Sequence, residues 1–235
     1  MSVNSFQMNQ YVIACTATRQ AVMIDCGASS QRELNVFLQW INDNSYELTA
    51  VWQTHAHLDH VAGLGLLRNQ YPEIPIYLHP NERHVYNSFV QRCQAHGFEV
   101  EGGTQNFPLF ETLSLWSNDK NDVQQLSPTT KMSLGDLTFD IIPVPGHSPG
   151  QVGFLETTYT KSFFGGDVIM QGSIGRTDLP ESNPHDMQVS LKLIVETMHD
   201  DTTIYPGHGP PTLLRHEKIT NPFLRPLVVE KKEPR

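Results

Sequence analysis

Apolar positions recur along the 235 residues at two spacings, one that suits strands and one that suits helices. Short apolar runs at Tyr11–Ala14 and Ala21–Asp25 predict a β-hairpin that ends at Cys26-Gly27. Ser30-Gln-Arg-Glu33 has the capping-box spacing, and Leu34, Phe37, Leu38 and Ile41 follow at helical intervals. Gln31–Ile41 is therefore expected to be a helix with one buried face. Leu48–Gln53 reads as a strand, Val61–Gln70 as a helix and Ile74–Leu78 as another strand. Asn81–His96 is expected to be helical, with Val85, Phe89 and Val90 as its apolar stripe. The pattern weakens from Gly97 to Lys131, where Gly102-Gly103, Asn118–Asp122 and Pro128 signal turns. That stretch is too long for an ordinary connection and reads as an insertion or an active-site flap. Strands return at Leu137–Val144, Val152–Glu156 and Ser162–Phe164. Asn183-Pro184 has the form of an N-cap with proline at the first helical position. Met187, Leu191, Ile194, Val195 and Met198 then mark an amphipathic helix, and Thr203–Tyr205 a last strand. Strands interleaved with helices, with no linker between them, predict one α/β domain over residues 1–225, with a frayed tail at 226–235.

The two halves echo each other. Each has a hairpin whose second strand ends in an aspartate beside glycine (Asp25-Cys-Gly27; Gly165-Gly-Asp167), then a helix, then a strand entering a histidine-bearing loop (His55; His208).

The chemistry is concentrated in one run. Thr54-His-Ala-His-Leu-Asp-His60 places His55, His57, Asp59 and His60 within six residues, after an apolar stretch and before another. Imidazole and carboxylate are the ligands that zinc, iron and manganese take. Later segments repeat the context of a side chain on a turn just past a strand: His147 in Pro145-Gly-His-Ser-Pro-Gly150, Asp167 after Gly165-Gly166, and His208 in Tyr205-Pro-Gly-His-Gly209. Open α/β sheets place their sites at such strand ends.

Composition narrows the partners. The net charge is −9, and no Lys/Arg-rich run appears, which argues against nucleic acid. Three cysteines without CxxC spacing argue against a disulfide framework, although a hairpin lets Cys15 and Cys26 face each other. Met1–Asn9 is polar, with no secretory signal, and no apolar run reaches the ~18 residues of a membrane helix. A cytoplasmic enzyme with a small-molecule substrate is expected, and the oligomeric state is left open.

His55-x-His57-x-Asp59-His60 followed by His147, Asp167 and His208 resembles the metallo-β-lactamase superfamily across nearly the whole chain. Gly166-Asp167-Val-Ile with Gly175-Arg-Thr-Asp178, and Pro206-Gly-His-Gly-Pro210 with Asn221-Pro-Phe223, resemble its glyoxalase II (hydroxyacylglutathione hydrolase) branch, in the short form without a C-terminal helical domain. Two features depart from that branch: there is almost no strand before Phe6, and 97–131 is long. The resemblance implies a four-layer αβ/βα sandwich and two divalent metal ions, zinc first, with iron or manganese as alternatives. It implies that His55, His57 and His147 hold one ion, that Asp59, His60 and His208 hold the other, and that Asp167 bridges them. It implies a thioesterase that cleaves a glutathione-linked thioester through a hydroxide shared by the metals, with Asp59 orienting that group or taking its proton. A second branch, the mononuclear iron persulfide dioxygenases, shares the Gly-Arg-Thr-Asp stretch but has Pro-Ala-His-Asp where this chain has Pro206-Gly-His-Gly209.

Other positions have plainer readings. Asp59 can cap the following helix. Arg176 is expected chiefly to brace its loop by pairing with Asp178, with contact to an anionic substrate as the alternative. Ser173 and Tyr205 are candidate substrate contacts by proximity alone. Trp40, Trp52 and Phe37 are expected in the core, Cys93 as a buried filler, and His79, His84, His96, His185, His199 and His216 at surfaces or helix ends.

Overall fold

The N-terminal hairpin forms where the sequence pattern puts it. In the computed structural model, which describes residues 1–115 and 130–229, a two-stranded ribbon of β1 (Ser2–Val3) and β2 (Met8–Asn9) precedes β3 (Tyr11–Ala14) and β4 (Gln20–Ile24), which pair antiparallel. The helix α1 (Gln31–Asp43) follows. Ser30 caps it, its hydroxyl accepting from Glu33 N–H at 3.3 Å. The reciprocal arm of the box is displaced by one residue, because the Glu33 carboxylate accepts from Ser29 N–H at 2.8 Å. Then come β5 (Glu47–Trp52), α2 (Leu58–Val61), α3 (Leu64–Gln70), β6 (Ile76–Leu78), α4 (Arg83–Asn87), α5 (Phe89–His96) and β7 (Ser114–Leu115). The strands form a five-stranded sheet in the order β3-β4-β5-β6-β7, parallel except for the first pair. These elements, with Ser133–Leu137, make one compact unit. Its core joins Leu34, Phe37 and Ile41 of α1 to Met23, Val51 and Ile76 of the sheet.

The second unit takes the remaining described residues. It contains β8 (Thr130–Leu134) as far as Met132, β9 (Leu137–Pro143) from Thr138 onward, then β10 (Val152–Glu156), β11 (Ser162–Gly166), α6 (Pro184–Thr197), β12 (Thr203–Pro206), β13 (Thr212–Leu213), α7 (Leu214–Thr220) and α8 (Arg225–Val229). The six-stranded sheet runs β13-β12-β11-β10-β9-β8. The β11–β12 pair is parallel, while β9–β10, β10–β11 and β12–β13 are antiparallel. Phe163, Ile204, Leu191, Ile194 and Leu214 lie in its core. The expected echo is visible in each unit's own topology: a hairpin, a helix, then a strand parallel to the hairpin's second strand. No helix of the described residues is long and apolar enough to cross a membrane.

Several expectations are corrected. The helix expected over Val61–Gln70 is two, beginning at Leu58, and His57 rather than Asp59 stands at the N-cap of α2. Asn81–His96 is interrupted at Ser88, so the phase changes and Val90 is 41% exposed, while Phe89 and Cys93 are buried. Trp40 is exposed and stacks on Tyr46 at 5.6 Å, whereas Trp52 and Phe37 are buried. Three residues beyond Phe37, Trp40 falls about 60° outside the apolar stripe of a 3.6-residue helix. The three cysteines are free. Within 97–131, the described part holds β7, a 3₁₀ turn at Phe110–Thr112 and the start of β8; residues 116–129 lie outside the described residues. The tail expected to fray from 226 begins inside α8, with Leu227 and Val228 packed on the core; residues 230–235 lie outside the described residues.

One buried acid bears on stability. Glu156 ends β10, and its carboxylate accepts from the N–H groups of Thr158, Tyr159 and Thr160 and from the Thr160 hydroxyl, at 2.6–3.2 Å. Burial raises its pKa, but these hydrogen bonds outweigh burial and hold the carboxyl below the usual carboxylate range. A depressed acid stabilises the fold above its unfolded pKa and loses that contribution as pH falls through the folded one. Glu156→Gln should therefore cost roughly 1.5–3 kcal/mol at pH 7, the range for hydrogen bonds to a charged group. It should also flatten the loss of stability below the unfolded pKa. Urea midpoints from pH 3 to 8 test this; equal acid slopes for variant and wild type would refute it.

Candidate metal centre

Parallel strand pairs deliver the histidine run in the first unit, and Asp167 and His208 in the second. Because β4 and β5 run parallel, their C-terminal ends lie side by side, and Asp25 N–H donates to Trp52 O at 3.0 Å. The chain leaving β5 then meets the Asp25 side chain. Thr54 N–H donates to Asp25 Oδ1 at 2.7 Å, and the Thr54 hydroxyl to Oδ2 at 2.9 Å. Asp25 adopts φ 56°, in the left-handed region that aspartate tolerates better than most residues. Gly27 lets this turn close on the histidine run, since a Cβ there would fall 2.1 Å from Asp59 O.

The geometry fixes histidine protons. His60 Nδ1 lies 2.8 Å from Asp25 Oδ2, and a carboxylate can only accept, so Nδ1 carries the hydrogen. The Thr54 hydroxyl has given its single hydrogen to Asp25. At 3.0 Å from His55 Nδ1 it therefore accepts from that nitrogen. When either ring is neutral, its lone pair therefore sits on Nε2. The His55 ring lies 4.0 Å from His60 and 4.7 Å from His57 between centroids, and His60 Nε2 lies 3.8 Å from Asp59 Oδ2. All four side chains are buried. The loop is also held from below, where the fully buried Glu82 carboxylate accepts from Ala56 N–H at 2.9 Å.

The second unit repeats the device. The β11–β12 pair places Asp167 and the 207–208 turn together, and Gly207 N–H donates to Gly166 O at 2.8 Å. Asp167 Oδ2 is 3.3 Å from His147 Nε2 and 3.6 Å from His208 Nε2. Two ligand atoms ~2.0–2.2 Å from one tetrahedral ion stand about 3.3–3.6 Å apart, so one carboxylate oxygen has metal-sharing distance to both histidines. His147 Nδ1 donates to the backbone carbonyl of Arg176 at 2.8 Å, which again leaves Nε2 as the ligand atom. Gly175 is required beside it, because a Cβ there would fall 2.1 Å from Asp167 O and 2.9 Å from His147 Cγ. His208 is half-buried.

All seven side chains singled out in the sequence thus stand with their ligand atoms among others of the same kind, four in the first unit and three in the second, and these His/Asp groups could hold metal. The donor chemistry, imidazole with carboxylate oxygen and the inner nitrogens of His55, His60 and His147 tied to internal acceptors, fits divalent zinc, iron or manganese. Arg176 makes the expected two-pronged pair with Asp178, at 2.7 and 2.9 Å, and the pair is exposed. Its contribution near the histidines comes from its carbonyl. Tyr205 stacks on Phe164 at 4.9 Å, and the Ser173 hydroxyl turns to Ile174 O. Sequence reasoning passed over Asp25, Thr54 and Glu82 as participants. Asp25 had one signal, its place in the first half matching that of Asp167 in the second.

Comparison with known proteins agrees with this chemistry. The hydroxyacylglutathione hydrolase GloC of Haemophilus influenzae is 30% identical over 223 residues, covering 94% of this chain and 95% of that protein. The crystal structure of the BLEG-1 B3 metallo-β-lactamase superposes with a TM-score of 0.75 at 28% identity, over 95% of this chain and 97% of that one. TTHA1623, solved in a di-iron-bound form, gives a TM-score of 0.75 at 29% identity, over 95% and 98%. The model of the metallo-β-lactamase superfamily matches residues 4–208. With two mixed sheets, flanking helices and the histidine run at the end of a strand, the chain belongs to that superfamily.

Proposed function

We propose that the protein is a binuclear metal hydrolase that cleaves S-acylglutathione thioesters such as S-D-lactoylglutathione. In this reading His55, His57 and His147 hold one ion, Asp59, His60 and His208 hold the other, and Asp167 serves both. The observation that carries it is the pair of distances from Asp167 Oδ2 to His147 and His208, with the inner nitrogens of His55, His60 and His147 tied to internal acceptors. The 30% identity to GloC supports the glutathione thioester as substrate. When bound, paired ions would bring the pKa of a water toward ~7 and offset charge on the attacked carbonyl oxygen. The Asp59 carboxylate would orient the attacking water or take its proton. The leaving group is a thiolate, whose parent thiol has a pKa of ~8.5, so no side chain need protonate it.

The test is metal analysis of the native protein with S-D-lactoylglutathione turnover. About two ions per chain are expected, zinc first, and His208→Ala or Asp59→Ala should lower turnover by roughly 10²–10³-fold. Unchanged turnover in either variant would sink the reading. One iron per chain, with oxygen uptake on glutathione persulfide, would replace it with a dioxygenase.

A further inference from the structure

The Asn221–Phe223 motif is not used by the chemistry above, yet a continuous chain of contacts joins it, through the Met170–Arg176 loop, to the site. Glu217, on α7, is fully buried. Its carboxylate accepts from Gly172 N–H at 2.8 Å, the Thr212 hydroxyl at 2.6 Å and Asn221 Nδ2 at 2.9 Å. Asn221, also fully buried, donates from Nδ2 to Ser173 O at 2.9 Å and reaches Met170 O at 3.4 Å. Met170 and Ser173 close the loop on themselves through reciprocal backbone bonds of 3.0 and 3.1 Å. Two residues on, Gly175 N–H donates to Asp167 O at 2.8 Å, and the next carbonyl, that of Arg176, receives the His147 Nδ1 hydrogen at 2.8 Å.

A buried carboxylate is costly, and here it grips a turn whose tip, Gln171–Ser173, is exposed and adds nothing to the core. What the grip fixes is the path of 170–176 and with it the acceptor for His147. We propose that Glu217 and Asn221 are positioning residues for His147: through the Met170–Arg176 loop they hold the Arg176 carbonyl where it keeps the imidazole proton on Nδ1 and turns Nε2 toward Asp167. A histidine that loses the acceptor on one nitrogen loses both its ring orientation and its preferred tautomer. The consequence for metal affinity rests on the ligand assignment made above; the consequence for the tautomer does not.

The experiment uses the full chain, metal-free and metal-loaded, as wild type, Asn221→Ala, Glu217→Gln and the exposed control His216→Ala. Histidine ¹⁵N spectra of the metal-free protein, above the range where imidazole is charged, should show wild-type and His216→Ala with the His147 proton on Nδ1. In Asn221→Ala and Glu217→Gln the two nitrogens should move toward averaged shifts, while His55 and His60 stay put. Amide exchange at Gly175 should quicken in the same two variants. Competition with a chromophoric chelator, using zinc as the probe, should show roughly 10–100-fold weaker binding in them. If Asn221→Ala does not fold, Glu217→Gln carries the test, since it keeps the side-chain shape and removes the charge on which three donors converge, Gly172 N–H, the Thr212 hydroxyl and Asn221 Nδ2. Unmoved His147 shifts in folded variants that merely melt earlier would overturn the proposal. If wild type binds no zinc while the tautomer shifts still appear, the metal reading falls and the positioning role stands.

Discussion

Asp167→Ala is expected to leave the purified protein without bound metal and to cut thioester turnover by about 10³-fold or more, the largest effect of any single change in this chain. One oxygen of that carboxylate sits within metal-sharing distance of both His147 and His208, so removing it would take a ligand from each proposed ion. Asp167→Asn separates charge from shape. The amide keeps the volume and one neutral oxygen, so it should retain some metal at high concentration and still lose most turnover. Neither variant removes the Asp167 backbone carbonyl that accepts from Gly175 N–H, so the loop and the fold should persist. Metal content after dialysis, read with a thermal melt of the metal-free proteins, is the measurement. Asp167→Ala that keeps two ions per chain would refute the shared-ligand assignment.

How much of this was readable beforehand depends on what kind of side chain marks each element. The helix α1 was legible because Leu34, Phe37, Leu38 and Ile41 mark a single face, and all four are buried. The helix α7 was not, because its buried positions are Leu214 and Glu217, and a glutamate in a sequence reads as surface. The strand β8 alternates half-buried and exposed residues until it ends at buried Leu134, so it merges into the weak stretch before it. The seven proposed ligands were legible because four crowd six residues and the others share a glycine-rich turn past a strand. The residues that orient them were hidden for the opposite reason. Asp25, Thr54, Glu82, Glu217 and Asn221 act through backbone N–H groups, backbone carbonyls and ring nitrogens of other residues, and no sequence spacing records which of these a polar side chain will meet. Arg176 shows this most sharply. Its side chain drew notice in the sequence, yet the side chain is paired with Asp178 on the surface, and the contact with His147 is made by its carbonyl, an atom that every residue has.

Asp25 is where that hidden layer should matter most for both folding and metal. Its carboxylate accepts at once from Thr54 N–H, the Thr54 hydroxyl and His60 Nδ1, in a place with no water access. Asp25→Ala orphans these buried donors at about 1–3 kcal/mol each, so a total loss of roughly 3–5 kcal/mol is expected after partial relaxation. Alanine is also poorly suited to φ 56°, which adds to the cost. Asp25→Asn is the more informative change. Asparagine tolerates that backbone, and its oxygen can still accept from Thr54 N–H, so the loss of stability should be only about 1–2 kcal/mol. Its amide nitrogen, however, now faces the Thr54 hydroxyl and His60 Nδ1 as a donor. His60 can answer only by moving its proton to Nε2, which removes the lone pair a metal needs. Asp25→Asn should therefore weaken metal binding by roughly 10–100-fold in a protein that is otherwise folded. Chelator competition and urea unfolding on the same preparation separate the two effects. An Asp25→Asn protein that binds zinc as tightly as wild type would mean that His60 Nε2 is not a ligand, and the second ion would lose its seat.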